Sequence, residues 1–169
     1  MERLRWHALL VRPRLEHWVA SRLNSLGVET YVPMLQLSRQ LRGGFRSIEI
    51  PLFPGYVMCK TAVPASLWTI PGVVSIIWGT HEKQDVTEET MRDVRRILES
   101  GLRVQRWPFE THGETVMIAA GPLDGISGVL GIDANEQVFI FSIPMIHESI
   151  SVNADALRLV SLRRSVNFR

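Results

Sequence analysis

The sequence has 169 residues, 46% of them hydrophobic, so it is long enough for one medium domain or two small ones and too apolar for a disordered chain. We expect neither a membrane span nor a signal peptide, since no apolar run approaches about 18 residues and no apolar segment follows the N-terminal charges. The single cysteine, Cys59, cannot form an internal disulfide and suits a reducing, cytoplasmic environment.

The net charge of +2 is unevenly distributed along the chain. Residues 1–60 carry +5, residues 61–112 carry −1 and residues 113–169 carry −2, and seventeen of the 19 cations are arginine. Arginine makes planar, bidentate contacts with phosphate. The basic N-terminal third therefore favours a nucleic-acid partner, with a solvated arginine-rich surface as the alternative.

The chain begins with a predicted strand, helix and strand. Trp6–Val11 is a continuous apolar run typical of a central strand. After the break at Pro13, apolar residues recur at helical spacing up to Gly27, a residue suited to a helix C-terminus. These residues are Leu15, Val19, Leu23 and Leu26. Val28–Val32 then predicts the second strand.

Residues 36–47 are polar and basic and predict a flexible hairpin tip around Gly43-Gly44. The arginines of this tip are Arg39, Arg42 and Arg46. The segment from Arg42 to Arg46 either contacts a phosphate backbone or forms a solvent-exposed loop tip, and both interpretations stay open.

The segment Pro51–Val57 holds the most specific local pattern. Pro54-Gly55 has the chemistry of a type II turn, since proline presets φ at the first central position and glycine accepts a positive φ at the second. Ile48–Pro51 and Tyr56–Lys60 are predicted to pair as strands on either side of it. The flanking aromatics, Phe53 and Tyr56, either serve the core or present a rigid apolar anchor to a partner.

A second helix follows a short helix at residues 65–70 and a strand at residues 73–78. Thr87 predicts its N-cap, with Glu88 and Glu89 placed favourably at the positive end of the helix dipole. Beyond it, the aperiodic stretch 103–112 predicts a linker of about ten residues.

From Gly113 onward the pattern is entirely β. Five short strands in a small segment predict a barrel that buries its own edges. They are Thr115–Ala119, Gly128–Ile132, Val138–Ile143, Ser149–Val152 and Leu157–Val160. Residues 163–169 are predicted to form a basic tail.

Sequence motifs for catalysis and cofactor binding are missing. The chain has neither a Gly-x-x-x-x-Gly-Lys phosphate loop nor a Gly-x-Gly-x-x-Gly fingerprint. Its five histidines are scattered, and one cysteine excludes a thiolate zinc site. Cys59 lies in an apolar strand, where an inert buried thiol is expected. We therefore predict no catalytic site, no metal and no cofactor.

Two short motifs, in this order and spacing, carry a resemblance. They are Phe53-Pro54-Gly55-Tyr56-Val57 and Gly121-Pro122-Leu123-Asp124-Gly125. With the elements around them, they resemble the NusG family of transcription elongation factors. The resemblance implies an α+β chain. A NusG-type α/β sandwich, an antiparallel sheet flanked by helices, would occupy residues 1–102. The linker would join it to a five-stranded SH3-like KOW β-barrel at residues 113–162.

The resemblance implies that the N-terminal domain binds the clamp helices of RNA polymerase, suppresses pausing and acts in antitermination. The matching polymerase-binding positions are Leu10, Phe53, Pro54, Tyr56, Met58 and Trp78. Some family members also contact the non-template DNA strand, and Arg12, Arg14 and Arg22 match that surface. Arg42, on the basic tip, joins them as a candidate nucleic-acid contact.

The KOW domain of the family recruits a small-subunit ribosomal protein, the Rho terminator or other factors. Leu123, Asp124 and Ile126 match its contact loop. The stretch Ile143–Ser149 is more similar to specialised paralogues that act on polysaccharide gene clusters than to the housekeeping factor that works with Rho. An RNA- or ribosome-binding KOW protein without polymerase contact is the alternative, although the charge of −2 on residues 113–169 counts against it.

Overall fold

A computed structural model of the chain describes residues 4–62, 64–77 and 86–162. The chain divides into two compact units, residues 1–91 and residues 92–169. The division falls inside the second helix, ahead of the predicted linker at 103–112. Neither α-helix in the described ranges combines the length and the apolar character that crossing a membrane requires.

The first unit is built on an antiparallel sheet. Its elements follow the chain as β1 (Arg5–Val11), α1 (Glu16–Ser25), β2 (Glu29–Tyr31), β3 (Met34–Leu41), β4 (Gly44–Pro51), β5 (Tyr56–Thr61), a 3₁₀ helix (Pro64–Thr69), β6 (Val73–Ile77) and the start of α2 (Glu88–Glu99). Four strands form one sheet in the order β2-β5-β1-β6, and β3 and β4 form a separate two-stranded sheet. The predicted first strand, first helix and second strand are confirmed to within a few residues.

The core of this unit lies between the sheet and α1. Leu9 of β1 is registered with Val57 of β5, and both pack with Val19 and Leu23 of the helix. All four side chains are fully buried. Each such burial contributes about 1.5–3 kcal/mol relative to exposure, so this cluster fixes the face of β1 and β5 that α1 covers.

The predicted pairing of Ile48–Pro51 with Tyr56–Lys60 is wrong. The strand β4 pairs with β3 along its whole length, from Met34 opposite Pro51 to Leu41 opposite Gly44, whereas β5 pairs with β1 and β2. The physical reason is turn chemistry. Only Arg42 and Gly43 join β3 to β4, which is the commonest hairpin length, whereas four residues separate β4 from β5. Gly43 takes a φ of 113° in this short connection. Most of the predicted flexible tip is therefore regular strand.

The predicted cap of α2 is confirmed. The backbone N–H of Thr90 donates to Oγ1 of Thr87 over 3.0 Å, which satisfies one of the free donors at the helix start. The carboxylate of Glu88 then accepts from Nε1 of Trp6 at 2.9 Å and from Nζ of Lys60 at 2.6 Å. These two bonds tie the first turn of α2 to β1 and β5.

The second unit contains one antiparallel sheet after the end of α2. Its strands are β7 (Gln105–Trp107), β8 (Thr115–Ile118), β9 (Ser127–Asp133), β10 (Glu136–Ile143), β11 (Glu148–Asn153) and β12 (Leu159–Ser161). They lie in the order β12-β8-β9-β10-β11-β7. All five predicted strands are present. The additional strand, β7, lies within the predicted linker and pairs with β11. The predicted basic tail at 163–169 lies outside the described residues.

Close packing between β9 and β10 depends on Gly128. A Cβ placed on this residue would lie 2.3 Å from the carbonyl oxygen of Ile140 and 2.7 Å from Cζ of Phe139. Phe139 and Ile140 are both buried, so neither neighbour has free space to move into. Glycine is therefore required here by proximity.

Candidate functional site

The turn between Phe53 and Tyr56 has the geometry that its sequence predicts. The N–H of Tyr56 donates to the carbonyl of Phe53 over 3.1 Å, which closes the turn. Gly55 has a φ of 85°, the positive value that the second central position of a type II turn requires. The turn thus connects the separate hairpin to β5 of the main sheet.

This turn is fixed from both sides of its peptide backbone. The N–H of Gly55 donates to Oε1 of Glu16 at 2.7 Å, and the carbonyl of Gly55 accepts from the N–H of Val11 at 2.8 Å. Glu16, in the first turn of α1, is only 4% exposed. A hydrogen bond to an ionised acceptor is stronger than a neutral one. Glu16 therefore holds the turn against the start of α1.

Sequence reasoning missed the role of Glu16. The available signal was an acidic residue in the first turn of a helix, where carboxylates are stabilised by free backbone N–H groups. The sequence does not reveal that the donor comes from a glycine 39 residues away.

Five of the six predicted polymerase-binding residues are brought together. Leu10 and Tyr56 are registered partners on β1 and β5, and Met58 lies two residues further along the same face as Tyr56. Pro54 is exposed, and Leu10 and Tyr56 are half-buried, whereas Phe53 and Met58 are buried. The surface of this set is therefore Leu10, Pro54 and Tyr56, which we call the anchor surface. The sixth residue, Trp78, lies outside the described residues.

The arginines predicted to contact nucleic acid divide into two places. Arg12 and Arg14 lie in the turn before α1 and Arg22 lies on it, and all three are exposed. Within the described ranges, none of the three is within ion-pair distance of a carboxylate. Arg14 has a φ of 69°, an unusual conformation for a residue other than glycine. Arg42 lies elsewhere, in the turn between β3 and β4.

An exposed tryptophan accompanies the arginines of α1. Trp18 is 49% exposed and precedes Arg22 by four residues, so the two side chains share one side of the helix. A large exposed aromatic side chain next to an exposed cation is a feature of surfaces on which nucleic-acid bases stack.

The predicted KOW contact loop is held by internal backbone hydrogen bonds, and its predicted apolar contact residues are buried. Leu123 and Ile126 are buried, and of the predicted residues only Asp124 exposes its side chain. The guanidinium of Arg96 donates to the carbonyls of Pro122 and Asp124, each at 2.8 Å from Nη2. The second half of α2 thus holds the backbone of this loop.

The remaining chemical groups are inert or scattered. Burial raises the pKa of Cys59 to about 12, so its thiol stays protonated at neutral pH, as expected of a buried cysteine. Across the described ranges, His, Cys, Asp and Glu side chains do not come together in groups of three or more that would hold a metal ion.

The comparison with family models identifies the first unit. The family described as transcription termination factor nusG matches residues 4–95, more than half of the chain. The chain belongs to the NusG family. This confirms the resemblance drawn from the two sequence motifs, and it places the chain in a family of transcription factors.

Two relatives extend over most of the chain. The transcription termination/antitermination protein NusG of Buchnera aphidicola subsp. Baizongia pistaciae is 24% identical over 147 residues, covering 83% of this chain and 81% of the relative. A solved structure described as domain interaction in Thermotoga maritima NusG matches with a TM-score of 0.51 and 20% identity, covering 89% and 93% of the two chains. The latter shows the shared fold, a mixed α+β architecture of the NusG type.

Proposed function

We propose that this chain is a transcription elongation factor that binds the clamp helices of RNA polymerase through its anchor surface. The observation that supports this most is the double restraint on Gly55, by Glu16 and by Val11. It presents Pro54 and Tyr56 on a turn that has little conformational freedom to lose. A preorganised apolar anchor reduces the entropic cost of association.

The proposed mechanism is differential binding and requires no covalent chemistry. A factor that bridges the polymerase cleft binds the closed, active enzyme better than the open-clamp, paused one, and so shifts the population toward elongation. Each tenfold preference for the closed state contributes about 1.4 kcal/mol to that shift. Suppressed pausing then leads to antitermination. The predicted cytoplasmic location follows from this role.

The exposed arginines of α1 are proposed to contact the non-template DNA strand. Arg12, Arg14 and Arg22 supply cations that lack carboxylate partners within the described ranges. Trp18 supplies a flat apolar surface beside Arg22. Cations along the backbone together with a stacking aromatic are the elements by which proteins hold single strands.

The second unit is proposed to be a KOW barrel that recruits a small-subunit ribosomal protein, Rho or another factor. Its six strands contain the five that the barrel needs. Because Leu123 and Ile126 are buried and Arg96 holds the loop backbone, recruitment through these residues requires the loop to open. The similarity of Ile143–Ser149 to specialised paralogues favours an operon-restricted antiterminator.

A retention assay on core RNA polymerase tests the proposal. The full chain should be retained, and Tyr56→Ala should reduce retention at least tenfold without changing the melting temperature by more than a few degrees. Phe45→Ala removes an aromatic side chain that is 76% exposed on the β3–β4 hairpin and serves as the matched control. Equal retention of Tyr56→Ala and the wild type would contradict the anchor surface, and absence of wild-type binding would contradict the function.

A further inference from the structure

The hairpin of β3 and β4, here called the ribbon, is an unusual surface element. It forms a two-stranded sheet of its own, and every residue from 36 to 47 is exposed. Each strand has eight residues, which corresponds to a length of about 25 Å. An isolated two-stranded hairpin is only marginally stable in water. The exposed part of the ribbon is therefore accessible to a partner.

The register of the ribbon separates its side chains onto two faces. One face carries four successive pairs: Leu35 with Ile50, Leu37 with Ile48, Arg39 with Arg46, and Leu41 with Gly44. We call it the arginine face. The other face carries Glu49 paired with Gln36, to which it is also hydrogen-bonded, together with Phe45 opposite Gln40. The carboxylate of the ribbon thus lies away from the arginine pair.

Two arginines of the ribbon lie directly opposite each other, where their like charges repel. Residues directly opposite in an antiparallel pair have Cβ atoms about 4.5–5.5 Å apart, and like charges there are destabilising. Arg39 and Arg46 are opposite each other, and Arg42 lies in the adjoining turn. Among the described residues, these three arginines form no ion pair with a carboxylate. A polyanion would convert this repulsion into attraction.

We infer that the arginine face of the ribbon binds the phosphate backbone of duplex DNA. Guanidinium groups match phosphate bidentately, and a two-stranded ribbon fits the duplex major groove, which is about 12 Å wide. A single strand is less suited to this face, since its exposed side chains beside the arginines are leucines and no aromatic is registered there for stacking. The inference extends the proposed function with a second nucleic-acid surface, and it places Arg42 on this surface, apart from the arginines at α1.

The test is a titration of the full chain with a fluorescent 20-base-pair duplex at several salt concentrations. Arg39→Gln/Arg46→Gln should weaken binding at least tenfold and lower the log–log salt slope by about two, since each phosphate contact contributes about 0.9. Arg103→Gln/Arg158→Gln removes the same charge from exposed positions in the second unit and is the matched control. We expect less than a twofold effect from it. Equal weakening by both double variants would overturn the inference.

Arg46→Glu separates binding from folding. It replaces the repulsive pair with an Arg39–carboxylate pair, so the melting temperature should rise or stay constant while duplex affinity falls by more than the single charge loss of Arg158→Gln. A fall in affinity that accompanies unfolding would overturn the inference.

Two further readouts keep this inference distinct from the proposed function. On a single strand of the same sequence, Arg12→Gln/Arg22→Gln should weaken binding more than the ribbon double variant does. Retention on core polymerase should be unchanged by the ribbon substitutions. Lost retention with unchanged duplex affinity would identify the ribbon as a protein contact and overturn the inference, whereas failure of wild-type retention would count only against the proposed function.

Discussion

Two turns in this chain are stabilised in the same way but differ in whether their apolar side chains are exposed. The Phe53–Tyr56 turn and the Gly121–Ile126 loop each contain a glycine with a φ near 85°, at Gly55 and Gly125. Each is held by a charged side chain that bonds its backbone, Glu16 accepting an N–H in the first and Arg96 donating to carbonyls in the second. The first leaves Pro54 and Tyr56 accessible, whereas the second buries its apolar residues.

The comparison teaches that a turn motif fixes backbone shape without fixing which side chains face solvent. In the first turn, the carboxylate approaches from α1 and the next residue enters β5 beside Leu10. In the second, Ile126 leads into β9 and both its flanking apolar residues enter the core. The first turn is therefore already exposed in the way that the proposed anchor surface requires. The second would have to open before Leu123 and Ile126 could contact a partner.

The largest effect should follow from removing the support of the first turn. Glu16→Ala leaves the buried N–H of Gly55 without its acceptor, which costs about 1–3 kcal/mol for a neutral partner and more where a charged bond is lost. We expect the free energy of unfolding to fall by roughly 3 kcal/mol in a denaturant titration. Polymerase retention should fall with it.

Glu16→Gln is the matched control, because its amide oxygen can still accept from Gly55 while the charge is removed. We expect it to recover more than half of the lost stability. If Glu16→Gln and Glu16→Ala are equally destabilising, the hydrogen bond to Gly55 is not the reason for the effect.

The corresponding change in the second turn is Arg96→Ala. It removes a hydrogen-bond donor to the carbonyls of Pro122 and Asp124, and since Arg96 is partly exposed we expect a loss of about 1–2 kcal/mol. Amide hydrogen exchange should accelerate at Asp124 and Ile126, whose N–H groups close the loop internally. Arg96→Lys lacks the planar fork and should behave closer to alanine than to arginine. Unchanged exchange would show that the loop is held without Arg96.

A matched pair of glycine substitutions should cost the same stability and differ in function. At Gly55 a Cβ would meet ordinary contacts, with Val11 O at 3.6 Å, and at Gly125 it would meet nothing within 4 Å. Only the positive φ opposes alanine, at about 1–2 kcal/mol in each case. Polymerase retention should fall for Gly55→Ala alone. Equal retention of both variants would remove the link between the first turn and the anchor surface.

The smallest effect concerns Cys59, which reports on the first unit because it is the only cysteine in the sequence. Burial raises the pKa of its thiol from 9.0 to about 12, so native labelling by a thiol reagent at pH 8 should be slow. Glu16→Ala should accelerate labelling and Arg96→Ala should not. The pKa of the thiol is higher in the folded chain than in the unfolded one. The stability that comes from the buried, protonated thiol is therefore fully present below pH 9 and is lost as pH rises from 9 toward 12.

Sequence patterns were sufficient to predict those elements that depend on neighbouring side chains along the chain. The apolar run of β1, the stripe of α1, the cap at Thr87 and the five C-terminal strands all follow from local spacing. Strand partners did not follow, since the residues of β4 and β5 do not identify their neighbours and the turns between strands select which ones pair. The roles of Glu16 and Arg96 could not be predicted for a related reason, because their hydrogen-bond partners are backbone atoms far away in the sequence.

The ribbon also has consequences for association between copies of the chain. Both of its outer edges carry backbone N–H and carbonyl groups that, in the described part of the chain, no further strand pairs, and such edges are templates for strand addition. Arginines on these strands oppose edge-to-edge contact, because two approaching ribbons would bring like charges together. High salt, which shortens the Debye length to about 3 Å at 1 M, weakens that protection. We therefore expect the charges on the ribbon to oppose aggregation, and we expect a chain that lacks them to self-associate first at this hairpin.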